Sequence, residues 1–271
     1  MQKMIDLSGK EAIVTGGGSG IGRGICAVLT RAGANVLVTD ISIDSAKETI
    51  NYCEASNNIR AATIDVTDIE SIEEAISKHV VDRGKIDILV NNAGIIGAKD
   101  WWTREIPSNE DWLEVYEVNL RGMVRVSERV GKEFKSQKYG KIVNIASISA
   151  RQGSPDIPHY STSKAAVVSW TQSHALKMAP YNVNVNAVCP GLIWTPIWEA
   201  IARKRAKYGG SIDVNGLEGR ELFDQAVKSW IPMQREQTSE DIGNIAAFLV
   251  SDMAKNITGQ SINVDGGRFT S

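Results

Sequence analysis

The chain has 271 residues, 42% hydrophobic and 23% charged, a composition that buries enough apolar surface to fold without metal or disulfide staples. A formal net charge of -2 lacks the basic excess of a nucleic-acid binder. Cys26, Cys53 and Cys189 form neither a Cys-x-x-Cys pair nor a Cys/His cluster, so no metal site is expected and the thiols suit a reducing compartment.

From the N-terminus, Met1–Asp6 lacks the apolar core of a signal peptide, and no apolar run approaches membrane-spanning length, so a cytoplasmic protein is expected. Short β-branched runs then recur at Ala12–Thr15, Val36–Thr39, Ala62–Ile64, Ile86–Val90, Ile142–Ile145, Val183–Val188 and Ser261–Val264. Between most of them lie segments of helical period, such as Ile21, Ile25, Val28 and Leu29, or Ile69, Ile72, Ile76 and Val80. This alternation predicts βαβ units and a parallel sheet with helices on both faces. One stretch, 194–232, breaks the rhythm with Gly209-Gly210, Gly216 and three tryptophans; it reads as a substrate-binding lid on a single domain of residues 1–271.

The first strand leads into Thr15-Gly16-Gly17-Gly18-Ser19-Gly20-Ile21-Gly22, followed by a helix. Glycines here permit a tight turn and let the backbone approach a pyrophosphate, which the helix start attracts with free N–H donors. The spacing departs from Gly-x-Gly-x-x-Gly, so the generic dinucleotide fingerprint does not strictly match. The second strand ends at Asp40, where a carboxylate accepts hydrogen bonds from the adenosine ribose hydroxyls and repels an added phosphate. Ser19 and Ile41 stand where a basic residue would hold that phosphate, so NAD is the expected cofactor. Small residues in Asn91-Asn92-Ala93-Gly94, after the fourth strand, suit backbone packed against it.

Tyr160 and Lys164 stand four apart, on one face of a helix. A tyrosine titrates near pH 10, and a nearby ammonium favours its phenolate, each unit of pKa corresponding to about 1.4 kcal/mol. Ser147, after the fifth strand, can polarise a substrate oxygen, and Asn119 lies on a predicted helix as a polar amide among apolar neighbours. His159, beside Tyr160, points elsewhere on the helix and is expected to be structural or at the pocket rim. His79 and His174 are expected to serve packing, and Arg23 a solvated face. Ile96, Trp101, Ser149, Gln152, Trp194 and Trp198 are the candidate substrate-pocket residues. The tryptophans, Trp102 included, either line a pocket or hold the lid or a subunit contact.

Together the glycine turn, Asn91–Gly94, the set Asn119, Ser147, Tyr160 and Lys164, and Pro190-Gly191 resemble the short-chain dehydrogenase/reductases along essentially the whole chain. The resemblance implies a doubly wound Rossmann-type sheet of about seven parallel strands and a homotetramer. It also implies that Lys164 binds the nicotinamide ribose, Asn119 holds a water of a proton relay, Asp65-Val66 meets adenine, and Ile193 and Thr195 meet the carboxamide. Tyr160 would then be general acid/base in interconverting a secondary alcohol and a ketone. The region around Thr195-Pro196-Ile197-Trp198 is similar to lids of diol, acetoin and polyol dehydrogenases. Alternatives are a 3-oxoacyl thioester reductase, a cyclic-alcohol or hydroxysteroid dehydrogenase and, in a different class, a non-catalytic NAD-binding scaffold. No membrane or nucleic-acid partner is expected.

Overall fold

In the computed structural model, which describes residues 5–53, 57–210 and 216–270, seven strands form one sheet. They are β1 (Glu11–Thr15), β2 (Asn35–Asp40), β3 (Ile59–Thr63), β4 (Ile88–Asn91), β5 (Gly140–Ile145), β6 (Val183–Pro190) and β7 (Ser261–Val264). All pair in parallel, in the order β3-β2-β1-β4-β5-β6-β7. β1, β5 and β6 are buried along their whole length, as a sheet covered on both faces requires. The third strand starts earlier than its apolar run suggests, because Ile59 pairs with Val36 and the ladder recruits Arg60. The terminal residues Met1–Met4, part of the segment read for a signal peptide, lie outside the described residues.

Nine helices are described: α1 (Gly20–Arg31), α2 (Ile43–Tyr52), α3 (Ile69–Arg83), α4 (Asn109–Tyr116), α5 (Met123–Gln137), α6 (Pro158–Met178), α7 (Pro196–Tyr208), α8 (Gly219–Trp230) and α9 (Ser239–Val250). One apolar layer joins Ile25 and Leu29 of α1 and Ala246 and Leu249 of α9 to one face of the sheet. The other joins Ile72 and Ile76 of α3, Val126, Val130 and Phe134 of α5 and Met178 of α6 to the opposite face. Alternate β1 residues divide between them, Val14 to the first and Ile13 to the second.

The 194–232 stretch folds as α7 and α8 packed together, with 211–215 outside the described residues. Trp198, Ile201, Leu222, Phe223 and Val227 form a separate buried cluster with Trp101, Ile157 and Leu192. Ring contacts hold it: Phe223 meets Trp194 and Trp198 edge-on, at 5.3 and 5.0 Å between centroids. No described helix is long and apolar enough to cross a membrane.

Candidate active site

The strand order reverses direction between β1 and β4, and loops leaving the carboxyl ends of strands there open a crevice. A cleft of about 410 Å³ occupies it. Gly16, Ser19, Gly20, Ile21, Asp40, Ile41, Asp65, Val66, Asn92, Ala93, Gly94, Lys164 and Thr195 line it.

The turn is held from below. Asn92 donates through Nδ2 to the carbonyls of Thr15 and Gly16 at 3.1 and 2.8 Å, and Asp40 accepts from the Gly18 N–H at 3.0 Å. Gly16 has φ +61°, and a Cβ there would lie 2.7 Å from Ala93 Cα. Gly22 is not at the surface of the cleft; it lets α1 close on the turn, since a Cβ would fall 2.1 Å from the Gly16 carbonyl oxygen. Ser19 makes no side-chain cap on α1, which leaves first-turn N–H groups to a ligand. A pyrophosphate fits this cradle. Asp40 is the acidic side chain at the β2 end of the cleft, and Ile41 beside it is 69% exposed.

Arg23 is more than a solvated face. It donates to the Gly18 carbonyl at 2.5 Å and to Thr49 Oγ1 at 3.0 Å, and pairs with Glu48 at 3.1 Å, tying the turn to α2.

A second cavity, of about 370 Å³, adjoins the first and shares Ile21, Ala146, Tyr160, Thr195 and Ile197 with it. Ser147, Ser149, Gln152, Pro190, Gly191, Ile193 and Trp198 line it, together with Arg205, Trp230, Arg268 and Phe269. Ile96, Trp101 and Trp194 do not. The Ile96 carbonyl meets His159 Nε2 at 2.7 Å, Trp101 is buried beneath Lys204, and Trp194 packs on Phe223 with Arg220 over its ring.

Tyr160 and Lys164 stand on α6, which Pro158 opens in its first turn, and Ser147 follows β5. Tyr160 lies between the cavities and lines both, with Ser147 beside it on the wall of the second. Lys164 Nζ is 5.7 Å from the Tyr160 ring centroid and donates to the Ile145 carbonyl at 2.9 Å. Asn119 occupies a wide helical turn, Glu117–Gly122, joining α4 to α5. Its amide exchanges hydrogen bonds with the Ile95 backbone at 2.8 Å each way and donates to Ser163 at 3.1 Å. Both Nδ2 protons are thus used, leaving only Oδ1 capacity for a water. A Cβ on Gly94 would meet Asn119 Oδ1 at 3.3 Å and Lys164 Nζ at 3.4 Å, so both groups converge on that loop.

Burial pushes the Tyr160 phenol up to about 12, against the opposing pull of Ser147, and burial pushes Lys164 down to about 8. Desolvation disfavours the charged form of each. No group of three or more His, Cys, Asp or Glu fit to hold a metal occurs among the described residues.

A family profile described as Enoyl-(Acyl carrier protein) reductase matches residues 16–268. The 3-oxoacyl-[acyl-carrier-protein] reductase of Thermotoga maritima is 34% identical, the match covering 96% of this chain and 98% of that one. The chain belongs to the short-chain dehydrogenase/reductase family. Within that family, the L-2,3-butanediol dehydrogenase of Corynebacterium glutamicum is 37% identical, with 95% of this chain and 98% of that one covered. The crystal structure of NAD+-bound xylitol dehydrogenase superposes with a TM-score of 0.86 at 30% identity, covering 98% of this chain and 100% of that one. Short-chain dehydrogenase/reductases of this kind are oxidoreductases that act on alcohols and ketones with a nicotinamide cofactor.

Proposed function

We propose that the protein is an NAD-dependent dehydrogenase of a small secondary alcohol of the diol, acyloin or polyol kind. The observation that carries this reading is Tyr160 at the junction of the two cavities, with Ser147 and Lys164 beside it. NAD supplies the hydride acceptor when bound, and Gly16, Ser19, Gly20, Asp40 and Lys164 would hold it, as would the 92–94 loop. In oxidation Tyr160 takes the hydroxyl proton; in reduction it returns that proton to the carbonyl oxygen. Ser147 steadies the same oxygen, and Asn119 fixes the loop bearing Gly94 against α6 through Ile95 and Ser163.

Asp40 supports NAD over NADP, since a carboxylate at that end of the cleft repels a ribose phosphate. Among the described residues, Lys164 is the only Lys or Arg that lines that cleft. In this reading α7 and α8 form a lid and the protein assembles as a homotetramer. The likeness to the Thermotoga enzyme favours a second reading, reduction of a 3-oxoacyl thioester. An assay of both cofactors with secondary alcohols, diols, polyols, cyclic alcohols and hydroxyacyl thioesters separates the two. NAD reduction by diols or polyols is expected. Turnover restricted to thioesters with NADP overturns the reading, and tight NAD binding without any turnover points to a scaffold.

A further inference from the structure

A buried cation lines the second cavity without an adequate partner. Arg205, on α7, is 6% exposed. Its guanidinium carbon lies over the rings of Trp198 and Trp230, 5.3 and 4.9 Å from their centroids. Asp156 meets Nη2 at 3.5 Å, the outer limit of a hydrogen bond, while Nε and Nη1 have no hydrogen-bond partner among the described residues. Neighbouring Arg268 also lines the cavity, 5.4 Å from the Trp230 centroid, and Gln152 and Ser149 add polar groups to its wall.

Burying a guanidinium with two unused nitrogens is costly, and cation–π contacts offset only part of that cost. A structural role alone is met more cheaply by an apolar side chain filling the same slot. A guanidinium on the wall of a small-molecule cavity, its Nε and Nη1 buried and unpaired among the described residues, suits a carboxylate that approaches it. The apolar ring walls and the nearby Asp156 carboxylate disfavour the second charge of a phosphate monoester.

We propose that Arg205 is the specificity residue of the substrate cavity and that the alcohol oxidised here carries a carboxylate, as a dihydroxy acid or sugar acid does. This narrows the substrate of the reaction proposed above and rests on that reading for its chemistry, though not for its binding test.

The test compares small hydroxy carboxylates, 2,3-dihydroxybutanoate and gluconate among them, with their primary amides and with phosphate monoesters of the matching diols. Binding is followed by tryptophan fluorescence, which Trp198 and Trp230 report, and turnover by NAD reduction. The wild-type protein is expected to prefer a carboxylate over its amide by about tenfold or more. In Arg205→Gln the KM or Kd for the carboxylate rises about 10–100-fold while the amide changes little, and Arg205→Lys recovers part of the loss. If Arg205→Gln fails to fold, Arg205→Lys carries the same comparison, and Arg268→Gln, which should leave the carboxylate preference in place, separates the two cations. Equal binding of carboxylate and amide, preference for the phosphate, or equal damage to carboxylate and amide in the variant overturns the proposal. Carboxylate selectivity that depends on Arg205 but comes without turnover leaves the anchor standing and sinks the dehydrogenase reading. Turnover of neutral alcohols without carboxylate preference does the reverse.

Discussion

The Asp40 carboxylate accepts the Gly18 N–H at 3.0 Å, so one side chain both borders the cofactor cleft and braces its glycine turn. Its second oxygen accepts from the Ser42 N–H at 3.1 Å, which orients it at the start of α2. Asp40→Ser removes the charge and loosens the brace together. NAD binding is expected to weaken about 10–100-fold, the range for losing hydrogen bonds to a charged group. Binding of NADP should change less, narrowing the ratio of the two dissociation constants measured by titration. An unchanged ratio would show that Asp40 does not select the cofactor.

His174 lies 4.3 Å from Trp170 between ring centroids, buried, and its Nδ1 has no hydrogen-bond partner. Burial, then Lys177 and Lys135, lower its pKa from 6.5 to about 4. Because the folded value is depressed, the unfolded chain binds the proton first. Stability is full above about pH 6.5 and is lost as the pH falls through about 4, by up to about 3 kcal/mol from this residue. His174→Phe should flatten urea-unfolding free energies between pH 7 and pH 4. Equal slopes for wild type and variant would show that His174 protonates in the native state at little cost.

The residues proposed to react were legible in the sequence because short motifs carry them: Ser147 follows a strand, and Tyr160 and Lys164 share one helix face. Asp40 was legible for the same reason, being one residue past an apolar run. Arg205 was not, since its neighbours Asp156 and Trp230 come from distant segments and only tertiary packing assembles them. Tryptophan content alone also misplaced residues. Trp198 reaches the cavity, whereas Trp101 is buried beneath Lys204, whose Nζ is held by the Arg104 and Glu105 carbonyls at 2.7 and 2.8 Å. The glycines of α1 had two meanings that spacing does not separate. Gly20 lines the cleft, while a Cβ on Gly24 would strike Ser239 Cβ at 2.4 Å, marking a contact with α9.

Gly22 offers a direct test of the packed turn. A Cβ would sit 2.1 Å from the Gly16 carbonyl oxygen and 2.5 Å from Asn92 Nδ2, and neither backbone nor network can yield freely. Gly22→Ala is expected to cost about 1–3 kcal/mol, as overpacking does, and to weaken NAD binding as α1 shifts away. Gly131→Ala is the control: it meets only Met178 Cε, at 3.6 Å, and should be neutral or stabilising because alanine favours a helix interior. Thermal unfolding of the two variants, with and without NAD, distinguishes turn packing from helix propensity.

In the proposed reaction Tyr160 sets how the two directions respond to pH. With burial holding its phenol at about 12, the donor form dominates throughout the neutral range, so ketone reduction should show no loss from Tyr160 titration between pH 6 and pH 9. Alcohol oxidation needs the base form, whose fraction grows about tenfold per pH unit below the pKa. The oxidation kcat/KM should therefore climb through this interval, with a break near pH 8 where Lys164 titrates. Tyr160→Phe should remove about 10²–10⁴-fold of kcat in both directions and abolish the rise, while NAD binding stays within a few-fold of wild type. Lys164→Met should move the break and weaken NAD binding as well, separating the residue that also lines the cofactor cleft from the one that exchanges the proton. Retention of the oxidation profile in Tyr160→Phe would place the proton transfer on another group.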